Sequence, residues 1–170
     1  SDIGKIRIWE VLPSGEEKIL HNGHWEESAE DSTETRGFFI EDDGGFQKPM
    51  EYWIGAMVFT PDAKMLITGS RDNTIRFFEM PTMNELRVVR GHNGWVRALV
   101  VSPDGKVLIS AGDDNTIRFW DIATGRNFRT DKTHGGAVRG IALSPDGLRL
   151  ASASWDRTVK LWEGGVEPAE

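Results

Sequence analysis

Asp72-Asn73-Thr74-Ile75-Arg76-Phe77 recurs letter for letter as Asp114-Asn115-Thr116-Ile117-Arg118-Phe119, and again 42 residues on as Asp156-Arg157-Thr158-Val159-Lys160-Leu161. The same 42-residue offset relates Pro61, Pro103 and Pro145, then Thr68, Ser110 and Ser152, then Phe78, Trp120 and Trp162, and also His92 and His134. Agreement at one spacing without drift marks an internal repeat, and a repeat decides the architecture before any single element is considered. Within the central unit, Trp95–Val101 is apolar and rich in β-formers, Ser102–Gly105 is a turn, and Lys106–Ser110 is a short strand. A tight turn at Asp113–Asn115 leads to a strand at Thr116–Asp121, and Ala123-Thr124-Gly125 to a more polar stretch at Asn127–Thr130. Four short strands of falling hydrophobicity predict a twisted antiparallel blade, inner strands buried and the last strand outside. No segment has helical periodicity.

Composition sets the outer bounds. The chain has 170 residues, 20 Lys plus Arg against 27 Asp plus Glu, 38% hydrophobic residues and no cysteine. These are globular proportions, and the length suffices for a buried core. A net charge of −7 argues against a nucleic-acid surface, which needs a Lys/Arg field. Without cysteine there is no disulfide, thiol nucleophile or thiolate metal site. With no signal-peptide pattern and no long apolar run, the expected location is cytoplasmic or nuclear, with no membrane contact. Seven Trp against one Tyr is unusual.

The repeat resembles the WD40 family, whose members fold as β-propellers. Gly91-His92 and Trp120-Asp121 match the family's opening and closing pairs. Thr133-His134 with Trp162-Glu163, and Gly23-His24 with Phe78-Glu79, are variants of them, and Trp9-Glu10 resembles the tail of an earlier repeat. The expected fold is therefore an all-β propeller of four-stranded antiparallel blades, incomplete at three repeats plus a half blade. Residues 1–20 supply the third and fourth strands of a partial blade. Repeats follow at 21–90 (with an insertion at 25–50), 91–132 and 133–163, the last lacking its outer strand, and 164–170 is a tail. Such a set does not close a ring, so apolar blade faces are expected at both ends. A longer chain or self-association would cover them.

His, Ser and Asp in each unit are the residue types of a hydrolase triad, but an active site does not recur every 42 residues. The resemblance implies instead a structural tetrad inside each blade, with buried polar groups satisfying one another. By residue-wise match the tetrads are His92/Ser110/Asp114/Trp120 and His134/Ser152/Asp156/Trp162. His24/Thr68/Asp72 with Phe78 forms a third that lacks an indole donor.

The insertion carries eight acidic and two basic residues, so −6 of the chain's −7 lies there. Its first half, Trp25–Thr35, reads as a solvated loop. Two readings of the insertion are open: a tolerated surface lengthening, or part of a binding site. Glu41-Asp42-Asp43 matches no calcium loop, and His21 with His24 is too small a set for a metal. No catalytic motif, cofactor or metal site is expected.

The resemblance implies a non-catalytic scaffold that binds a protein or peptide on the propeller rim. The rim positions here are Trp53, Trp95 and Asn93 at the strand entries, and Arg71, Asp113 and Trp155 before each tetrad Asp. Trp and Arg are the types enriched in binding hot spots. Whether these indoles meet a partner or pack on neighbouring loops stays open at this point. The alternative is a sensor segment of a larger signalling protein; an enzyme or glycan-binding propeller has only exposed aromatics in its favour.

Overall fold

The computed structural model describes residues 53–164 and, before them, the backbone of five short strands between Ile6 and Pro49. The chain divides into two compact units, Ser1–Trp53 and Ile54–Glu170. In the first unit β1 (Ile6–Trp9), β2 (Glu17–His21) and β3 (His24–Glu27) form an antiparallel sheet. Two-residue strands β4 (Phe39–Ile40) and β5 (Lys48–Pro49) pair with each other. The sequence reading ends this partial blade at residue 20 and treats Trp25–Thr35 as loop, whereas β3 places His24 opposite His21 and Trp25 opposite Leu20. The sequence between the two strands, Asn22-Gly23, is a residue pair that favours hairpins.

The second unit contains the repeats. β6 (Ile54–Phe59), β7 (Met65–Ser70), β8 (Thr74–Glu79) and β9 (Glu85–Arg90) form the first four-stranded antiparallel blade. β10 (Val96–Val101), β11 (Val107–Gly112), β12 (Ile117–Asp121) and β13 (Asn127–Asp131) form the second. β14 (Val138–Leu143), β15 (Arg149–Ser154) and β16 (Val159–Glu163) form a three-stranded third. The expected burial gradient is present: β11 is buried along its whole length, whereas β13 has no buried residue.

Turns between the first two strands of each blade share one device. Ser102 Oγ donates to Asp104 Oδ1 at 2.5 Å, Thr60 Oγ1 to Asp62 Oδ1 at 2.6 Å, and Ser144 Oγ likewise to Asp146. The same hydroxyl of Ser102 accepts the Val107 amide at 2.9 Å. The Ser/Thr-Pro-Asp run thus closes its own turn with side chains.

Blades stack through their flat faces. Ile67, Ile75, Phe77, Val96, Leu99, Leu108 and Trp120 form the core between the first and second blades. Ile109, Ile117, Phe119, Val138 and Leu150 form the core between the second and third. The third blade's far face has no such cover among the described residues. Val159 is 74% and Leu161 65% exposed, where their 42-residue counterparts Ile117 and Phe119 are 1% and 2% exposed. The expectation of an uncovered apolar blade face holds at this end. No helix among the described residues is long and apolar enough to cross a membrane.

These faces make equivalent positions energetically unequal. Phe119→Ala is expected to cost about 3–5 kcal/mol of unfolding free energy by opening a cavity between blades. Leu161→Ala is expected to change stability by no more than about 0.5 kcal/mol. Denaturant unfolding of the two variants checks this, and equal costs would mean that Leu161 is covered in solution.

Candidate functional site: the blade tetrads and the rim above them

In the second blade the inner network closes completely. His92 Nδ1 lies 2.9 Å from Asp114 Oδ2, and His92 Nε2 lies 2.7 Å from Ser110 Oγ. Trp120 donates its indole N–H to the same Ser110 oxygen at 2.7 Å. Indole only donates, so Ser110 accepts from Trp120 and gives its hydrogen to His92 Nε2; the ring then donates from Nδ1 to Asp114. Asp114 also accepts the Asn93 amide at 3.0 Å and the Thr116 hydroxyl at 2.7 Å. Burial alone would push the Asp114 carboxyl up. The His92 ring, the Asn93 amide and the Thr116 hydroxyl outweigh it and hold the group well below the usual carboxylate range.

The third blade repeats the arrangement. His134 Nδ1 is 2.8 Å from Asp156 Oδ2, His134 Nε2 is 2.8 Å from Ser152 Oγ, and Trp162 donates to Ser152 at 3.2 Å. Asp156 accepts the Thr158 hydroxyl at 2.6 Å and the Gly135 amide at 2.9 Å. The Thr158 hydroxyl, followed by the His134 ring, keeps its carboxyl below the usual range.

Each Asp turn is stitched to the loop entering its blade. The Asp113 amide donates to the Trp95 carbonyl and the Trp155 amide to the Ala137 carbonyl, both at 2.9 Å. Gly94 lies so close that a Cβ there would stand 2.7 Å from the Asp114 nitrogen, so only glycine fits. The Ser–His–Asp order copies a hydrolase triad, but Ser110 is 0% exposed and already holds the Trp120 indole. A substrate has no approach to it.

The first blade is built differently. Thr68 and Phe78 are buried, and Asp72 accepts from Ser70 Oγ, from Thr74 Oγ1 at 2.6 Å and from Arg76 Nη2 at 3.0 Å. Burial raises the Asp72 carboxyl, and the Ser70, Thr74 and Arg76 bonds bring it below its ordinary value. The proposed fourth member, His24, lies in β3 of the other unit, and its side chain is outside the described residues. Ser70, standing where the second blade has Gly112, is the signal for this second solution.

Above the tetrads, the rim residues form a string across the blades. Each inner strand bulges near its start: the register steps from Ile54 to Ala56, from Val96 to Ala98 and from Val138 to Gly140. The extra residues are Gly55, Arg97 and Arg139. A bulge leaves its residue unpaired and re-aims the side chain. Arg97 lies 3.5 Å over the Trp95 ring and forks onto Asp113, with Nε–Oδ1 3.0 Å and Nη2–Oδ2 2.7 Å. Arg139 lies 3.6 Å over the Trp155 ring and reaches Asp113 Oδ1 only at 3.8 Å. Arg71 is 5.5 Å from the other part of the string, the Trp95 ring. At Gly55 a Cβ would stand 2.9 Å from Trp95 Nε1, so the missing side chain makes room for that indole.

Of the rim residues named from sequence, Trp95, Arg71 and Asp113 come together in this string and Trp155 ends it. Asn93 is exposed, with its amide bound to Asp114, and Trp53 is half-buried just before β6. The two bulge arginines were not named. Their signal was a charged residue recurring at 97 and 139 within otherwise apolar inner strands. Among the described residues no group of three or more His, Asp or Glu is placed to hold a metal ion.

Comparison with known proteins agrees with this architecture. The family model for the WD domain, G-beta repeat, matches residues 48–79, 83–121 and 125–163. These matches cover more than half of the chain, which belongs to the WD40 repeat family. Among solved structures the chain is similar to U3-55K at a TM-score of 0.64 and 28% identity, over 68% of this chain and 37% of that one. The structure of the RRP9 WD40 repeats gives the same figures: TM-score 0.64, 28% identity, 68% and 37% coverage. The chain thus spans 37% of the length of these solved structures. No curated protein matches the sequence.

Removing a carboxylate should be unequal between blades. Asp114→Ala strands the buried His92 ring and is expected to cost about 3 kcal/mol. Asp72→Ala leaves its buried partners Ser70 and Thr74 within 3.4 Å of each other and Arg76 still bonded to Glu85, and is expected to cost about 1 kcal/mol. Paired chemical melts decide, and equal losses would refute the closed network around Asp114.

The acid limb follows from the same carboxylate. Because the folded state holds Asp114 below its unfolded value, its stabilisation is complete at neutral pH. It is lost as pH falls below about 4, where the unfolded chain takes up the proton first. Asp114→Asn should therefore flatten the stability profile between neutral pH and about pH 3, measured as the unfolding midpoint against pH. A profile parallel to that of the unsubstituted chain would contradict the assignment.

Proposed function

We propose that the rim string is a docking surface for a protein or peptide partner, and that the chain works as a non-catalytic interaction scaffold. One observation carries this: Trp155, a large indole on a turn tied down by the Asp156 network, is 69% exposed. An exposed Trp on rigid backbone can be buried by a partner with little loss of conformational freedom. WD40 repeats generally serve as protein-interaction scaffolds, which supports the reading. Trp95 has a different part in it. Half-buried between Arg97 and Gly55, it holds the string in place, while Trp155, Arg71 and Asn93 offer exposed surface.

The apolar far face of the third blade is a separate surface. It continues the pattern by which β10 covers the first blade and β14 the second. We assign it to a following blade of a longer chain, with a second copy of this chain as the competing occupant that light scattering would reveal.

Trp155→Ala tests the rim. The variant is expected to unfold within about 0.5 kcal/mol of the unsubstituted chain and to capture about ten-fold less of its partner. Immobilised chain and variant, exposed to the same extract and compared by quantitative mass spectrometry, give the readout. Undiminished capture by the variant would overturn the reading.

A further inference from the structure

The string of rim charges is one carboxylate short. Arg97 and Arg139 occupy the same bulge position in successive blades, yet their surroundings differ. Arg97 faces Asp113 on its own blade's turn and spends its fork there, through two hydrogen bonds. On the third blade the residue at that turn position is Trp155 instead of an acid. Arg139 therefore has an aromatic shelf under its guanidinium and, among the described residues, no carboxylate on its own blade's turn to fork onto. Its nearest acid is the neighbouring blade's Asp113, at 3.8 Å and already bound by Arg97. Arg139 Nε is buried without a hydrogen-bond acceptor.

A guanidinium flat on an indole keeps its N–H edges pointing outward, and those edges match a carboxylate in two-point geometry. The Arg139 side chain is only 27% exposed, so its guanidinium is already partly desolvated and an incoming carboxylate at its open edge gains more here than at a fully solvated arginine. The local charge balance points the same way. Among the described residues, Arg97, Arg139 and exposed Arg157, on the turn with Trp155, are set against one rim carboxylate that is not held in a tetrad, Asp113. Asp156 on that turn is engaged by His134, Gly135 and Thr158.

We propose that Arg139, seated on Trp155, is the receptor for a Glu or Asp side chain from an acidic segment of a protein partner. This rests on the rim being the partner surface and adds the partner's chemistry to it. The indole supplies apolar area beside the fork, so the acid is best flanked by apolar residues.

The test uses the full chain with two fluorescein-labelled probes, hexaglutamate and hexaglutamine, followed by fluorescence anisotropy. Hexaglutamate should bind about ten-fold or more tightly than hexaglutamine, and its affinity should fall as salt rises. Arg139→Gln, checked for an unchanged melt, should lower hexaglutamate affinity about ten-fold. Equal binding of the two peptides, or hexaglutamate affinity unchanged in Arg139→Gln, overturns the proposal. The peptide comparison needs no variant, so it decides even where Arg139→Gln unfolds. Should hexaglutamate fail while Trp155→Ala still abolishes partner capture, only the acidic chemistry falls. Should Trp155→Ala leave capture intact, the rim reading falls first.

Discussion

In the second and third blades a single carboxylate ties the loop that enters the blade to the turn beneath it. Asp114 takes the His92 ring and the Asn93 amide from the loop, and the Thr116 hydroxyl from its own turn. The bonds to ionised oxygen are short, and the low dielectric around them strengthens each one. The loop held this way reaches β10 one residue out of step with β11, and the misfit is absorbed as the bulge at Arg97. Gly55 bulges at the same register in the first blade, so the network steadies the loop beside Arg97 and Arg139 without being required for the bulge itself. Such a network is weak as raw stability, since desolvating its groups offsets much of the attraction. Its value lies in permitting only one loop position.

Departures from the repeat show which positions are free to vary once that tie is made. In the first blade the bulge residue is Gly55, and the vacated volume admits the Trp95 indole. In the third blade the entry residue is Ala137 instead of a tryptophan, so nothing comparable screens Arg139 from the neighbouring Asp113. Trp155 in place of an acid then turns the string from an ion pair into a stacked aromatic. Ala137 and Trp155 leave the tetrad of the third blade untouched. Arg157 fits the same view: it holds a φ of 67°, as Asn73 and Asn115 do at 67° and 65°. A long side chain is carried there despite the preference of that backbone region for Asn.

The blades and most tetrad members were legible because both depend on residue identity at a fixed spacing. Pro103, Ser110, Asp114 and Trp120 recur at 42 residues, and the repeat unit is also the folding unit. The bulges were not legible, because alternation along Trp95–Val101 reads the same with or without one unpaired residue. Nothing in that run singles out Arg97 beyond its charge. Asp72 shows another limit. Its sequence context copies Asp114 over six residues, but its partners are set by Ser70 two residues before it, outside the matching run. Likewise β3 begins just before a stretch whose acidity alone suggests loop.

Net charge is the feature most easily misread in this chain. An excess of −7 is a whole-chain sum, but at physiological salt a charge is screened beyond about 8 Å. What an approaching side chain meets at the rim is set by its neighbours within that distance. Among the described residues the Asp113 carboxylate is shared there between two guanidinium groups, and Asp114 and Asp156 are turned inward onto histidine and threonine. The same inward turn that builds each blade removes its aspartate from the surface field. A tetrad carboxylate thus acts twice: it fixes the loop, and by being consumed in doing so it leaves the arginines in local excess among the described residues of the rim.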